Sequence, residues 1–140
     1  MANACITRML RHFEESGGTL LEKTKGEVLF EDSEPVSGIL FVKSGRVQLK
    51  VNCPIGADVV RTAKRGELLG VAPLFCGKAH HLVAEVVSNA KVLFVDSPSF
   101  LAYLDANPDT RLHVLEMLSA EVSSCYEMIR STLSPRSHDH

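Results

Sequence analysis

The chain has 140 residues, 45% of them hydrophobic and 23% charged, with a formal net charge of -2. That is the size of one domain with one hydrophobic core, and the composition of an ordinary globular protein. The charge balance gives no electrostatic basis for binding DNA or an acidic membrane, and the longest basic cluster, Arg61 to Arg65, is too short to track a phosphate backbone. No apolar run approaches a membrane span, and the N-terminal MANACITRMLRHF lacks a signal peptide's continuous apolar core, so a cytoplasmic setting is expected. The four cysteines, at positions 5, 53, 76 and 125, form no close pair of the C-x-x-C kind. Reduced thiols filling small apolar gaps are expected, and no metal site.

Ile6, Met9, Leu10 and Phe13 fall at i, i+3, i+4 and i+7, the stripe of a short amphipathic helix that Ser16-Gly17-Gly18 ends. The period then changes. Val28–Phe30, Ile39–Val42 and the alternating Val47, Leu49 and Val51 predict strands, with Ser44-Gly45 as a hairpin turn between the last two. Val59-Val60, Leu68-Leu69, Leu82–Val87 and Val92–Val95 continue the series, with turns at Gly56, Gly66, Gly77 and Ser88-Asn89. Short strands at this spacing predict a small sandwich or barrel.

The last third is predicted to be helical. Ser97 can cap a helix whose first position is Pro98, and Asn107 with Pro108 repeats the arrangement. The second helix could run from residue 108 to about 133, ~39 Å, longer than a small barrel is wide. Leu115, Leu118, Val122, Cys125 and Ile129 follow steps of 3-4-3-4 along it. This spacing predicts a seam between two copies, a homodimer. Leu112, Met117, Tyr126 and Met128 add apolar surface on other faces.

This order of elements resembles the sensory domain of the Crp/Fnr regulators. KGEVLFEDSEPVSGILFVKSGRVQLKV, Lys25 to Val51, carries the likeness. It resembles the family's K-G-x-x-[IL]-[FY]-x-x-G-[DE] opening and its later glycine-marked strands, with Ser33 where the family usually has glycine. The resemblance implies a mainly β fold with flanking helices. Its core would be a double-stranded β-helix (jelly-roll) barrel of the cyclic-nucleotide-binding type at about 19–96, followed by helices at about 97–133 that include the long dimer helix. One domain, 1–133, would then be followed by a polar tail, 134–140.

In that family the ligand sits in a cassette resembling G-[DE]-[FLI]-[FLI]-G-E-[LIM]-[AGS]-L, followed by P-R-[ST]-A-x-V. The second Gly opens a short helix facing the cyclic phosphate, the Glu accepts from the ribose hydroxyl, and the Arg neutralises the phosphate. RGELLGVAPLFCGKAHHLVAEV, Arg65 to Val86, can be laid on it in two registers. Matching Glu67 to the ribose Glu puts Lys64-Arg65 where a buried apolar pair belongs. The other register places Leu68-Leu69 there, Gly70 at the second Gly, Val71 at the Glu and His80 at the Arg. Burying two leucines is far cheaper than burying two cations, so the second is preferred. The expected pocket is therefore a degenerate cassette of Gly70, Val71, Ala72, His80, His81 and Leu82. Val71 accepts no hydrogen bond, and a neutral His80 is a poor phosphate ligand. No catalytic residue and no resident cofactor are expected, and cyclic nucleotide should bind poorly.

Other motifs in the stretch fail on spacing. Gly77-Lys78 lacks the Gly and the Ser/Thr of a P-loop, because Ala72 and Ala79 occupy those places. Adjacent strand positions would point His80 and His81 to opposite faces, so both could not reach one ion. One of them, or Cys76, could still hold a haem or metal in a redox or gas sensor, which is the alternative. Neither the H-x-H of a cupin strand nor G-x-S-x-G is present, so no enzyme is expected. The resemblance also implies a DNA-reading helix-turn-helix after the dimer helix, whereas this chain ends in SPRSHDH. A stand-alone sensor is expected, answering to a small-molecule effector or protein partner and not binding DNA by itself. The sensory half of a DNA-binding regulator is the alternative.

Overall fold

The computed structural model describes residues 4–53, 56–76, 79–80 and 82–119. Helix α1 (Ala4–Glu15) leads into β1 (Gly18–Lys23), β2 (Val28–Phe30), β3 (Gly38–Cys53), β4 (Gly56–Ala63), β5 (Leu68–Leu69), helix α2 (Val71–Cys76), β6 (Val83–Asp96) and helix α3 (Ser97–Ala106). A further helix, α4, is described over 108–119.

Two long antiparallel strands organise the molecule. β3 pairs with β6 from Gly38↔Asp96 to Lys50↔Val83. β1 and β5 extend the first half of this ribbon, and β2 and β4 extend the second. The hairpin expected at Ser44-Gly45 is not formed, nor is the turn at Ser88-Asn89. Both pairs lie inside continuous strands, where the register shifts at Ser44 and Arg46. Gly45 has φ 83, and a Cβ there would lie 2.4 Å from the Asn89 carbonyl oxygen. A glycine in the left-handed region bulges and bends a strand without reversing it.

The bulge also resets the alternation of side chains. Before it the inward residues of β3 are Leu40 and Val42; after it they are Val47 and Leu49. Without the extra residue the second half of β3 would turn its polar Arg46, Gln48 and Lys50 inward. With it, Val47 and Leu49 join Leu40, Val42, Ala84, Val86, Ala90 and Val92 in the interior of the bent ribbon. The opposite face of the first half, Ile39, Phe41, Leu93 and Val95, packs against Ile6, Met9 and Phe13 of α1 and against Phe100, Leu104 and Val114 of the C-terminal helices. The mainly β fold with flanking helices expected from the sequence is thus observed.

β1 was not foreseen as a strand, because its intermediate and exposed residues interleave without a clean apolar face. The cap of α3 is Asp96 rather than Ser97: its carboxylate accepts from the Ser99 N–H at 3.1 Å and the Ser99 hydroxyl at 2.8 Å. These bonds, the hydroxyl's first, hold the Asp96 carboxyl below its ordinary pKa. Asn107 lies between α3 and α4 and closes the first turn of α4 through its carbonyl, which accepts from the Arg111 N–H at 3.0 Å. Arg8 of α1 meets Asp109 at 2.7 Å, which raises the guanidinium pKa and lowers that of the carboxyl.

Within the expected dimer seam, Leu118 leans with Met117 on the domain's own helix-facing core. Leu115 is 44% exposed and Leu112 61%. Val122, Cys125 and Ile129 lie outside the described residues, as do the rest of the expected long helix beyond 119 and the tail. Among the described residues no helix is long and apolar enough to cross a membrane.

Candidate functional site

Leu68 and Leu69 are buried as β5, and Lys64 and Arg65 before them are exposed. The competing register needs Glu67 free to receive a ligand, but that carboxylate is engaged. It pairs with Arg61 and accepts the Lys64 N–H at 3.0 Å, while the Glu67 N–H donates to the Lys64 carbonyl at 3.1 Å. The same closed turn occurs at Thr24–Glu27, where Glu27 accepts the Thr24 N–H at 2.7 Å and its own N–H donates to the Thr24 carbonyl. The Thr24 backbone bond is the main reason the Glu27 carboxyl lies below its ordinary pKa. Both glutamates are turn-closing residues.

Gly70 has φ 89, and α2 begins at the next residue, with the Leu74 N–H reaching the Gly70 carbonyl at 3.3 Å. A Cβ at Gly70 would lie 3.3 Å from the Gly38 carbonyl oxygen and 3.4 Å from His80 Cε1. The structure therefore brings Gly70 and His80 together. Val71 is instead buried in the helix-facing core with Ile39, Phe41 and Phe100. Ala72 is half-buried on α2, Leu82 packs toward the ribbon interior, and His81 lies outside the described residues.

His80 is only 5% exposed. It does not occupy a strand, as the argument about alternating histidines assumed; it lies in irregular backbone just before β6. Its ring stacks on Phe30, with centroids 3.7 Å apart and an interplanar angle of 13°. Its backbone is sewn to the β2–β3 loop, accepting the Ser33 N–H at 2.8 Å and donating to the Glu34 carbonyl at 2.9 Å. Ala79 bridges Pro35 beside them. Ser33, at the position where the resemblance leads one to expect glycine, has φ 72 and so keeps the left-handed backbone with a side chain attached.

Next to this stack is a cavity of about 110 Å³ with apolar walls from Leu21, Phe30, Leu40 and Phe94. Lys23, Glu34 and Ser37 supply polar groups, and His80 closes one side. Small-molecule pockets usually span roughly 300–1,000 Å³, and this cavity is smaller. None of these residues except His80 was singled out in the sequence. Phe30 could have been, since it fills the aromatic position of the K-G-x-x-[IL]-[FY] pattern. A broader, shallow groove of about 740 Å³ runs between α1 and α3 past Arg11, His12, Tyr103 and Asn107. Among the described residues no three His, Cys, Asp or Glu side chains are placed to hold a metal ion.

A family model described as a cyclic nucleotide-binding domain matches residues 20–107. A comparison with curated proteins found no match. Among solved structures, a transcriptional regulator of Thermotoga maritima superposes with a TM-score of 0.76 at 16% identity, over 89% of this chain and 98% of that one. The catabolite activator protein of Thermus thermophilus gives a TM-score of 0.74 at 20% identity, over 94% of this chain and 63% of that one. The c-di-GMP responsive regulator CLP of Xanthomonas campestris gives 0.73 at 12% identity, over 90% of this chain and 62% of that one. The chain thus spans nearly all of the first relative and less than two thirds of the other two. At these identities the likeness shows a shared fold.

Proposed function

The chain belongs to the cyclic nucleotide-binding domain family, and from that premise we propose that it is a regulatory sensing module, not an enzyme, whose usual nucleotide contacts have been lost. The placement of Val71 carries this reading. In the preferred register it stands where the family has its ribose-binding Glu, and here it is an apolar side chain buried in the helix-facing core. His80, which the same register sets at the phosphate-binding Arg, is stacked on Phe30 beside a cavity of about 110 Å³. Each lost charge-assisted contact is worth ~1.5–3 kcal/mol, so two remove most of the affinity for a small ligand.

The module acts, on this reading, as a homodimer in the cytoplasm and contributes to transcription control or signalling through a small-molecule effector or a partner protein. Exposed Leu112 and Leu115 at the start of the long helix support dimerisation. Binding to duplex DNA by this chain alone is not expected at its net charge of -2.

Calorimetry with cyclic AMP and cyclic GMP tests the reading on four proteins: the natural chain, Val71→Glu, His80→Arg and the double replacement. No saturable binding is expected for the natural chain. His80→Arg restores a phosphate cation and should gain about 10–10² in affinity, whereas Val71→Glu buries a carboxylate in the helix-facing core and should cost stability without restoring the ribose contact. Micromolar binding by the natural chain would overturn the proposal, and a Soret band in protein from its native host would favour a haem sensor instead.

A further inference from the structure

We propose that the cavity beside the Phe30–His80 stack binds a short-chain aliphatic monocarboxylate of two to four carbons. This deepens the sensing role above and rests on the nucleotide having been lost. Volume sets the size of the ligand. About 110 Å³ is the share of roughly four water molecules in the liquid, which suits about four to six non-hydrogen atoms.

The lining sets its chemistry. Leu21, Phe30, Leu40 and Phe94 make an apolar bed for an alkyl tail, and Phe30 and Leu40 are themselves buried. Lys23 supplies the cation, its side chain only 30% exposed and its contact with Glu27 stretched to 4.0 Å. The other Glu27 carboxylate oxygen is held by the Thr24 N–H and hydroxyl, so Lys23 meets that group through a single distant oxygen. Glu34, the acidic group at the cavity, is exposed and turned back on its own loop, accepting the Glu31 N–H at 3.3 Å. A carboxylate head against Lys23, with its tail over Phe30, therefore matches the site, whereas an ammonium head faces a cation.

The position suits a sensor. Both Ser33 and Glu34 of the β2–β3 loop are bonded to the His80 backbone, and the His80 ring abuts Gly70. A ligand on one side of that ring touches the wall that separates it from the cassette.

Titration of the full chain at constant ionic strength with acetate, propionate and butyrate is the test, with butylamine and 1-butanol as controls. Saturable binding is expected for propionate and butyrate in the micromolar to millimolar range open to ligands of so few atoms, and none for butylamine. Lys23→Gln should weaken butyrate binding by about tenfold or more. Leu21→Phe, which fills the cavity, should abolish it with the circular dichroism unchanged. No saturation by any carboxylate, equal binding of butylamine, or butyrate affinity indifferent to Lys23→Gln each overturns the proposal; the last decides even if Leu21→Phe fails to fold. If cyclic AMP binds tightly, the loss of the nucleotide contacts is refuted independently. If neither ligand binds, only the carboxylate assignment falls.

Discussion

The two faces of the β3–β6 ribbon are built from different side chains. The helix-facing side carries large, fully buried residues, among them Phe41, Phe100, Met9, Ile39 and Leu68. The enclosed side is lined largely by small ones, Val42, Val47, Ala63, Ala84, Val86 and Ala90. Larger members of the enclosed cluster, Leu21, Leu29, Phe30, Leu40 and Phe94, gather at one end, where they line the cavity. One face consolidates the domain, and the other keeps a cavity at its mouth. Val71, directly after Gly70, belongs to the packed face and adds to its core.

Perturbing each face should expose this difference. Phe100→Ala on the packed side should cost about 3–5 kcal/mol in denaturant unfolding, whereas Val86→Ala on the enclosed side should cost only about 2 kcal/mol. Equal losses would mean that the enclosed side is packed as tightly as the other. Gly45→Ala attacks the bend that creates both faces. It combines a left-handed backbone with a Cβ 2.4 Å from the Asn89 oxygen, and about 2–3 kcal/mol of destabilisation is expected by the same measurement.

Much of this arrangement was legible before the structure. The stripe of α1, the apolar pair Leu68-Leu69 with exposed cations before it, and Gly70 opening a helix each follow from local periodicity and the cost of burying charge. What was misread has one physical origin. Ser44-Gly45 has the composition of a two-residue hairpin, and only pairing with a strand over forty residues away decides that the chain bends there and runs on. The Phe30–His80 contact is likewise non-local, joining a motif aromatic to a residue outside any strand, so spacing alone could not bring them together. Asp96 displaced Ser97 as the cap because strand β6 runs one residue further than its valines indicate.

Two smaller predictions sharpen the contrast at the mouth and at the helix junction. Ser33→Gly should stabilise the mouth by on the order of 0.5 kcal/mol in thermal unfolding, since relief of the left-handed strain slightly exceeds the added chain entropy. A loss of stability would show that the serine side chain itself holds the loop. At the start of α3, the lowered pKa of Asp96 makes its charge a stabilising contribution, complete above the unfolded carboxyl value of about 3.9. The margin of the natural chain over Asp96→Asn should therefore shrink as pH falls below about 4 and vanish once pH passes the lowered folded value. Urea midpoints measured between pH 3 and 7 would reveal a constant margin if the cap were neutral in origin.

Because β3 and β6 pair with one another, the segment between them, β4, β5 and α2, forms an excursion whose two ends the ribbon holds together. The entropic cost of closing such a loop rises only with the logarithm of its length, about 0.6 kcal/mol for each doubling. Insertions and deletions in its exposed turns therefore add little closing cost, while buried Leu68, Leu69 and Val71 tie the excursion to both hydrophobic clusters. The candidate cassette residues lie in that excursion, so changes confined to its exposed turns, such as that at residues 64–66, leave the frame intact.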